Sequence, residues 1–393
     1  VLEREALIVA VVDRNPGIES MRQAWLAASE REAQASAFAD LRVMTAVAPE
    51  SIYGDDRIGY MLQVEQMLPW SGKRGAMGAM EQAMADSMKG DYESARLGMA
   101  LMASMLYDEL WAAERMLGLN EHHIARMTEM KESAEARYVA SMASLQDPIE
   151  AEVAIARMEK EQASIESMIA VLRARINALL HRPPGEPLPP MPDSLDVPLP
   201  EIRDTDALQQ IALGSRPELA SVEARVRAGR AEAELADRER YPDLVVSTGY
   251  NSMMMGSEHR FTVGVGFNIP NQQEKRRAQL REAEAKVEME RQRFAELEDA
   301  VRLEVETARV ELEKTRRILE IYDSRLVPAG RDRFAAAEAG FSSGTNDFST
   351  VVSATNGLRE LEIERETTLA EIYTNRARLD RALGRLPFVQ EVK

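Results

Sequence analysis

Phe261-Thr262-Val263-Gly264-Val265-Gly266-Phe267-Asn268-Ile269-Pro270 alternates large apolar side chains with small or polar ones and then stops at a proline. A period of two puts Phe261, Val263, Val265, Phe267 and Ile269 on one face of a strand and Thr262, Gly264, Gly266 and Asn268 on the other. Leu244–Tyr250 alternates in the same way just upstream, so 244–269 reads as a β-hairpin. Pro69 stands 201 residues before Pro270 and closes Ile58–Leu68, another alternating run. With Leu41–Ala48 it predicts a second hairpin over 41–68.

The same spacing runs through the rest of the chain. Asn15-Pro16 returns as Arg216-Pro217 at the same 201-residue offset. Leu145-Gln146-Asp147 returns as Thr345-Asn346-Asp347 after 200 residues, and Arg173-Ala174-Arg175-Ile176 as Arg376-Ala377-Arg378-Leu379 after 203. This register is the mark of a tandem duplication. The first repeat, 1–181, reads as a helix over Ile18–Ala39, the hairpin 41–68, a long helix 72–143 and a return helix 148–180. A proline-rich linker, 182–207, cannot continue a helix and should run extended. The second repeat, 208–386, reads as a helix over Glu218–Arg240, the hairpin 244–269, a long helix 275–338 and a return helix 348–383. A tail, 387–393, completes the chain. A helix over 72–143 would extend about 105 Å.

Composition removes several functions. The 393 residues carry 49 basic and 66 acidic side chains, a net charge of −17 that argues against a nucleic-acid binder. Without cysteine there is no disulfide, thiolate metal site, iron–sulfur cluster or cysteine nucleophile. No phosphate loop, serine elbow or histidine-ligand spacing occurs, so neither an enzyme nor a cofactor is expected. His122 and His123 are adjacent and point about 100° apart on a helix, which reads as a solvated face. No apolar run reaches the roughly 18–20 residues of a transmembrane helix. Val1–Arg4 carry no signal or lipidation motif; either would have been removed or lie upstream.

Four strands cannot close a sheet or cover both of its faces. Each predicted strand is about as long as a tilted transmembrane strand requires. The apolar faces therefore need lipid or a partner, and closure by several copies would satisfy both the edges and the backbone. The reading from another class is a soluble coiled-coil scaffold or adaptor, although no stretch is left for an adaptor's globular domain.

Over essentially its whole length the chain resembles the TolC-type outer-membrane efflux factors. The resemblance is carried by the duplication, Leu68-Pro69-Trp70-Ser71-Gly72-Lys73-Arg74, Tyr241-Pro242-Asp243-Leu244, Phe267-Asn268-Ile269-Pro270 with its basic cluster, and Ala339-Gly340-Phe341-Ser342-Ser343-Gly344-Thr345-Asn346-Asp347. The Pro-Trp-Ser-Gly-Lys-Arg wording is most similar to the CusC-like and CzcC-like heavy-metal branch. The resemblance implies a mainly α fold with a membrane β-barrel contribution: a homotrimer with a 12-stranded β-barrel in the outer membrane of a Gram-negative bacterium. Its helices would form an α-barrel through the periplasm. It further implies a passive exit duct that docks on a periplasmic adaptor (a membrane fusion protein) and an inner-membrane RND pump. The cargo would be Cu(I) or Ag(I), Zn-type cations, or drugs, and the acidic balance would disfavour anions in the lumen.

The resemblance also assigns particular residues. Tyr138, Ser144, Leu145 and Asp147, with Phe341, Gly344, Asn346 and Asp347, are expected to form the adaptor-docking and aperture tips. A bulky residue at Gly344 should block transport and leave the trimer intact. Where the family places a tyrosine–arginine latch and an aspartate ring, this chain has Phe341, Asn346, Thr350 and Ser353, a departure from a charge-based latch, with Asp347 nearby. The first tip lacks the glycine that Gly344 supplies in the second. Trp70, Lys73, Arg74, Tyr241, Lys275, Arg276 and Arg277 are expected at the membrane interface. The segments between paired strands are too short for a large lid. Of 22 methionines, Met77, Met80, Met84 and Met88, and again Met99, Met102 and Met105, recur at helical spacing. They would suit soft-metal cargo or irregular packing. Met253, Met254 and Met255 are weak soft-metal candidates, and no firm metal site is expected.

Overall fold

The computed structural model describes residues 1–48, 58–195, 204–254 and 260–388. The first half holds α1 (Arg4–Arg14), α2 (Pro16–Ser29), α3 (Arg31–Ser36), β1 (Arg42–Ala48), β2 (Gly59–Leu68), α4 (Lys73–Val139) and α5 (Gln146–Leu179). The second holds α6 (Thr205–Ser215), α7 (Pro217–Arg238), β3 (Asp243–Asn251), β4 (Phe261–Asn268) and α8 (Gln273–Ile321). A π-helical turn (Tyr322–Leu326), α9 (Val327–Ser342) and α10 (Phe348–Ala382) complete it. The fold is mainly helical with one small antiparallel sheet. The tail beyond Phe388 and linker residues 196–203 lie outside the described residues.

The local structure corrects the sequence reading in four places. The helix expected over Ile18–Ala39 is two, α2 and α3, parted by a turn at Glu30. A short helix precedes each of the expected opening helices. α1 buries Leu7, Ile8, Val11 and Val12 at helical spacing, and its counterpart α6 begins at Thr205, inside the span 182–207 expected as linker. The helix expected over 275–338 is interrupted by the π-helical turn just before Pro328. Proline has no N–H for the carbonyl of Ser324 and its ring crowds that carbonyl, which displaces the hydrogen-bond ladder at that point. Finally, His123 is not on a solvated face: it is buried at 1% exposure. Its Nε2 lies 3.0 Å from Glu362 Oε2, while His122 stays exposed. The hydrogen bond with His123, followed by that of Arg331, holds the Glu362 carboxyl below its usual range against partial burial.

The chain forms two compact units, and they do not coincide with the sequence repeats. One comprises Val1–Glu19, Ser94–Arg216 and Asp299–Lys393; the other comprises Ser20–Glu93 and Pro217–Glu298. Each takes segments from both halves.

In the first unit the duplication recurs as matched helix ends. Asn15 Nδ2 donates to the carbonyl of Leu179, where α5 stops, and Arg216 Nη1 donates to the carbonyl of Ala382, where α10 stops. Asn15 also accepts from the amides of Gly17 and Ile18, capping α2 ahead of Pro16. Arg4 lies in the same unit, boxed by the rings of Tyr107 at 4.6 Å, Tyr373 at 5.0 Å and Phe388 at 4.3 Å. It pairs with Asp108 at 2.5 Å, the two side chains being 5% and 1% exposed.

In the second unit the four strands form one sheet in the order β1-β2-β3-β4, antiparallel throughout. The two predicted hairpins are joined along β2 and β3, where Leu68 faces Leu244 and Met61 faces Asn251.

Candidate functional sites: junction, sheet face and hairpin tips

The strand–helix junction of the second unit is built from two motifs far apart in the chain. Asp243 accepts from the Trp70 amide at 2.9 Å and from Lys73 Nζ at 2.7 Å, and Lys73 also donates to the carbonyl of Tyr241 at 3.1 Å. The Trp70 and Tyr241 rings stack with centroids 5.4 Å apart. Gly72 takes φ +87°, and a Cβ there would collide with Arg238 Nη1, which is bonded to the carbonyl of Ser71. Lys73, expected at a membrane interface, therefore turns inward. It is buried, because the carboxylate of Asp243 compensates its desolvation. Arg74 sits 3.5 Å from the ring centroid of Phe38, Arg276 pairs with Glu239 and Arg277 with Glu274; Lys275 is exposed.

The sheet above this junction has one apolar face. Cross-strand partners share a face, so the register gathers Val43 and Val47; Tyr60, Leu62, Val64 and Leu68; Leu244, Val246 and Tyr250; and Phe261, Val263, Val265 and Phe267. The other face is mixed: Met44 and Ala46, then Gly59, Met61, Gln63, Glu65 and Met67, then Val245, Ser247 and Gly249, and on β4 only the small or polar Thr262, Gly264 and Gly266. Nothing among the described residues covers the apolar side of β4: Phe261, Val263 and Phe267 are 79%, 82% and 65% exposed. Two aromatic groups bracket it: at one end Tyr250, whose ring contacts those of both Tyr60 and Phe261, and at the other Trp70 with Tyr241. An apolar cleft of about 300 Å³ between Pro69, Trp70, Pro242 and Phe267 lies at the Trp70 end. Met253 and Met254 are exposed beyond β3, and Met255 lies outside the described residues. Among the described residues no helix is long and apolar enough to cross a membrane, and no cluster of three or more metal-ligating carboxylate or imidazole groups occurs.

The tips belong to the first unit. Both helix ends close with the same pair of hydrogen bonds. Thr345 N–H donates to the Gly340 carbonyl and Gly344 N–H to that of Phe341; at the first tip Met142 donates to Arg137 and Ser141 to Tyr138. This geometry needs a left-handed residue, which is Gly344 at φ +76° in one tip and Ser141 at φ +57° in the other. The glycine missing from the first tip is thus replaced by a strained serine. Ser141→Gly should raise stability by about 1 kcal/mol, and an unchanged melting temperature would contradict it.

The two tips are held together by a residue that the sequence reading did not single out. Arg137 Nη1 donates to the Phe341 carbonyl at 2.7 Å, and its guanidinium lies 4.4 Å from the Phe341 ring centroid. Phe341 packs edge-on to Phe348 at 5.2 Å, over a core of Met127, Ala134, Ala151, Met158 and Val352. Asn346 lies against Gly340, where a Cβ would collide with its side-chain amide. Tyr138, Ser144, Leu145 and Gly344 are exposed, while Asp147 and Asp347 stand beside the starts of α5 and α10. Only an arginine in the last turn of α4 opposite an aromatic residue could have pointed to this clamp. Arg137→Ala should cost about 1.5–3 kcal/mol locally, by loss of a charged hydrogen bond. Faster amide exchange confined to 340–347 would register it; unchanged exchange there would refute the clamp.

Residues 208–385 match the family described as outer membrane efflux protein, and no curated protein matches the sequence. Among solved structures the chain is similar to the outer-membrane channel OprN, at 18% identity and a TM-score of 0.84, with 97% of this chain and 89% of that chain covered. CusC is similar at 14% identity and a TM-score of 0.84, covering 97% and 92%. The outer membrane protein VceC from Vibrio cholerae gives 15% identity and a TM-score of 0.82, covering 97% and 96%. At these identities the likeness is one of fold.

Proposed function

We propose, from the match of residues 208–385 to the outer membrane efflux protein family, that this chain is an outer-membrane exit duct and not an enzyme. The observation that carries the reading is the uncovered apolar face of a four-stranded sheet whose edge strands, β1 and β4, have no further partner among the described residues. Such a face and such edges are satisfied together when several copies close a barrel in lipid. Three copies would give 12 strands, and the aromatic groups at both ends of the face fit the two interfaces of a bilayer. A soluble scaffold would leave the same face in water.

The homotrimer, the periplasmic adaptor and the inner-membrane RND pump enter as part of this proposal. The tips, tied through Arg137 and Phe341, are the adaptor-docking and aperture region. The inferred cargo is a soft monovalent cation, Cu(I) or Ag(I), supported by the exposed thioethers of Met88 and Met102 along α4.

Extraction in detergent tests the duct: a trimeric tube that aggregates without detergent supports it, and a detergent-indifferent monomer overturns it. Copper and silver tolerance in a deletion strain tests the cargo, because unchanged metal tolerance with lowered drug tolerance would replace metals by drugs. Gly344→Val should abolish export while the trimer persists. Its side chain meets open space, and the left-handed backbone resists any β-branched residue, so the tip must rearrange. Normal export would remove the tip from the aperture.

A further inference from the structure

The mixed face of the sheet carries three thioethers on a diagonal across three strands. Met61 of β2 lies opposite Ala46 of β1 and Asn251 of β3. Met44 of β1 lies opposite Gln63, the next residue of β2 on that face. Diagonal neighbours of this kind have Cα atoms roughly 7–8 Å apart, within reach of long side chains.

On the other side of Met61, β3 runs past Asn251 into a turn. The Ser252 amide donates to the Tyr60 carbonyl at 2.9 Å, and Ser252 Oγ accepts from the Tyr60 amide at 2.8 Å. Asn251 Oδ1 accepts from the Met253 amide at 3.0 Å. These bonds lay the Met253 thioether over Gly59, which precedes Met61 on the same face of β2. A Cβ on Gly59 would stand 2.4 Å from Met253 Cγ and 2.8 Å from its sulfur, so glycine is what admits the thioether there.

The surrounding donors are neutral or already paired. Gln63 and Asn251 are amides, and Glu65, the next residue of β2 on this face, pairs with Arg42 at 3.2 Å. Thioethers beside neutral oxygens suit a soft monovalent cation, whereas zinc and calcium take thiolate, imidazole or carboxylate. Packing does not account for the cluster, because Met253 is 40% exposed and Met44 and Met61 are half-buried. Copies pairing at β1 and β4 would cover the edges of the sheet and leave this face open.

We infer that Met44, Met61 and Met253 form a binding site for a soft monovalent cation, Ag(I) or Cu(I), on the mixed face of the sheet. The inference rests on the duct reading, in which this face lines the lumen, and gives the cargo a point of contact near the Tyr60–Tyr250 end. Neutral thioethers hold such an ion without the attraction of a carboxylate, and a conduit must release what it binds.

The test is oxidation footprinting of the protein in detergent and chloride-free buffer, with hydrogen peroxide as oxidant, Ag(I) as the probe and peptide mass spectrometry as the readout. Ag(I) should slow sulfoxide formation at Met44, Met61 and Met253 together. Met67, on the same face at the other end and 48% exposed, should oxidise as before. Met61→Leu keeps the volume and should raise the Ag(I) concentration needed to protect Met44 and Met253 by about tenfold or more, since loss of even an outer partner weakens metal sites by about 10–100-fold. Gly59→Ala keeps every methionine and should weaken protection by displacing Met253. Absent protection, protection that Zn(II) reproduces or that extends equally to Met67, and protection undiminished in either variant each overturn the inference. The duct reading is separate: conducting trimers without silver protection sink this inference alone, and silver protection in a protein that stays monomeric sinks the duct alone.

Discussion

Val265→Arg is expected to eliminate membrane-inserted, oligomeric protein, while Thr262→Arg, three residues away on the same strand, leaves it at near wild-type level. Val265 lies on the apolar face opposite Val246, and Thr262 on the other face opposite Gly249. A guanidinium facing hydrocarbon near the bilayer midplane costs about 2–4 kcal/mol per chain, whereas a lumen-facing one stays hydrated. In a trimeric barrel the cost recurs in every copy. Membrane fractionation with electrophoresis of unheated detergent extracts distinguishes the two variants. Equal insertion of both would mean that the apolar face does not meet lipid, and the duct proposal would fall with it.

Asp108→Asn is expected to flatten the pH dependence of stability between about pH 4 and pH 7. Burial drives the Asp108 carboxyl up from its ordinary 3.8 to about 7, and Arg4, by charge and by hydrogen bond, pulls it back only in part. A carboxyl raised in the folded state binds its proton more tightly there than in the unfolded chain. The stability that this proton contributes is present below about pH 4 and is lost as pH rises through about 7. The difference is on the order of a few kcal/mol. The wild type should therefore fall relative to the asparagine variant as pH rises from 5 to 8, a comparison that cancels oppositely shifted groups such as Glu362. Parallel melting curves across that range would refute it. Arg4→Met should destabilise by about 3–5 kcal/mol at pH 8, where it leaves an unpaired buried carboxylate, and by less at pH 5, where Asp108 is protonated.

Much of the architecture was legible because it rests on local periodicity and a repeat. The alternation in Phe261–Ile269 and Ile58–Leu68 gave strands within a residue or two of those observed, and the helices read from Ile18 and Glu218 start within two residues of that, at Pro16 and Pro217. Where local signals were short, reading failed. α1 spans only 11 residues, and its apolar stripe is too brief to set it apart from α2. The break near Tyr322 depends on Pro328, which removes one hydrogen bond from a stretch that is otherwise helix-compatible on both sides.

The sites divide along the same line. By itself the sequence determined the duplication, the face on which each strand's apolar residues lie, and the location of the tips, because spacing along the chain dictates these through helix and strand geometry. Only the tertiary structure decided that the two hairpins merge into one sheet, that Lys73 turns inward to Asp243, that His123 is buried against Glu362, and that Arg137 clamps Phe341. Each of these pairs joins residues far apart in the chain, and a charged side chain's partner, unlike its helix face, is set by which distant elements pack beside it.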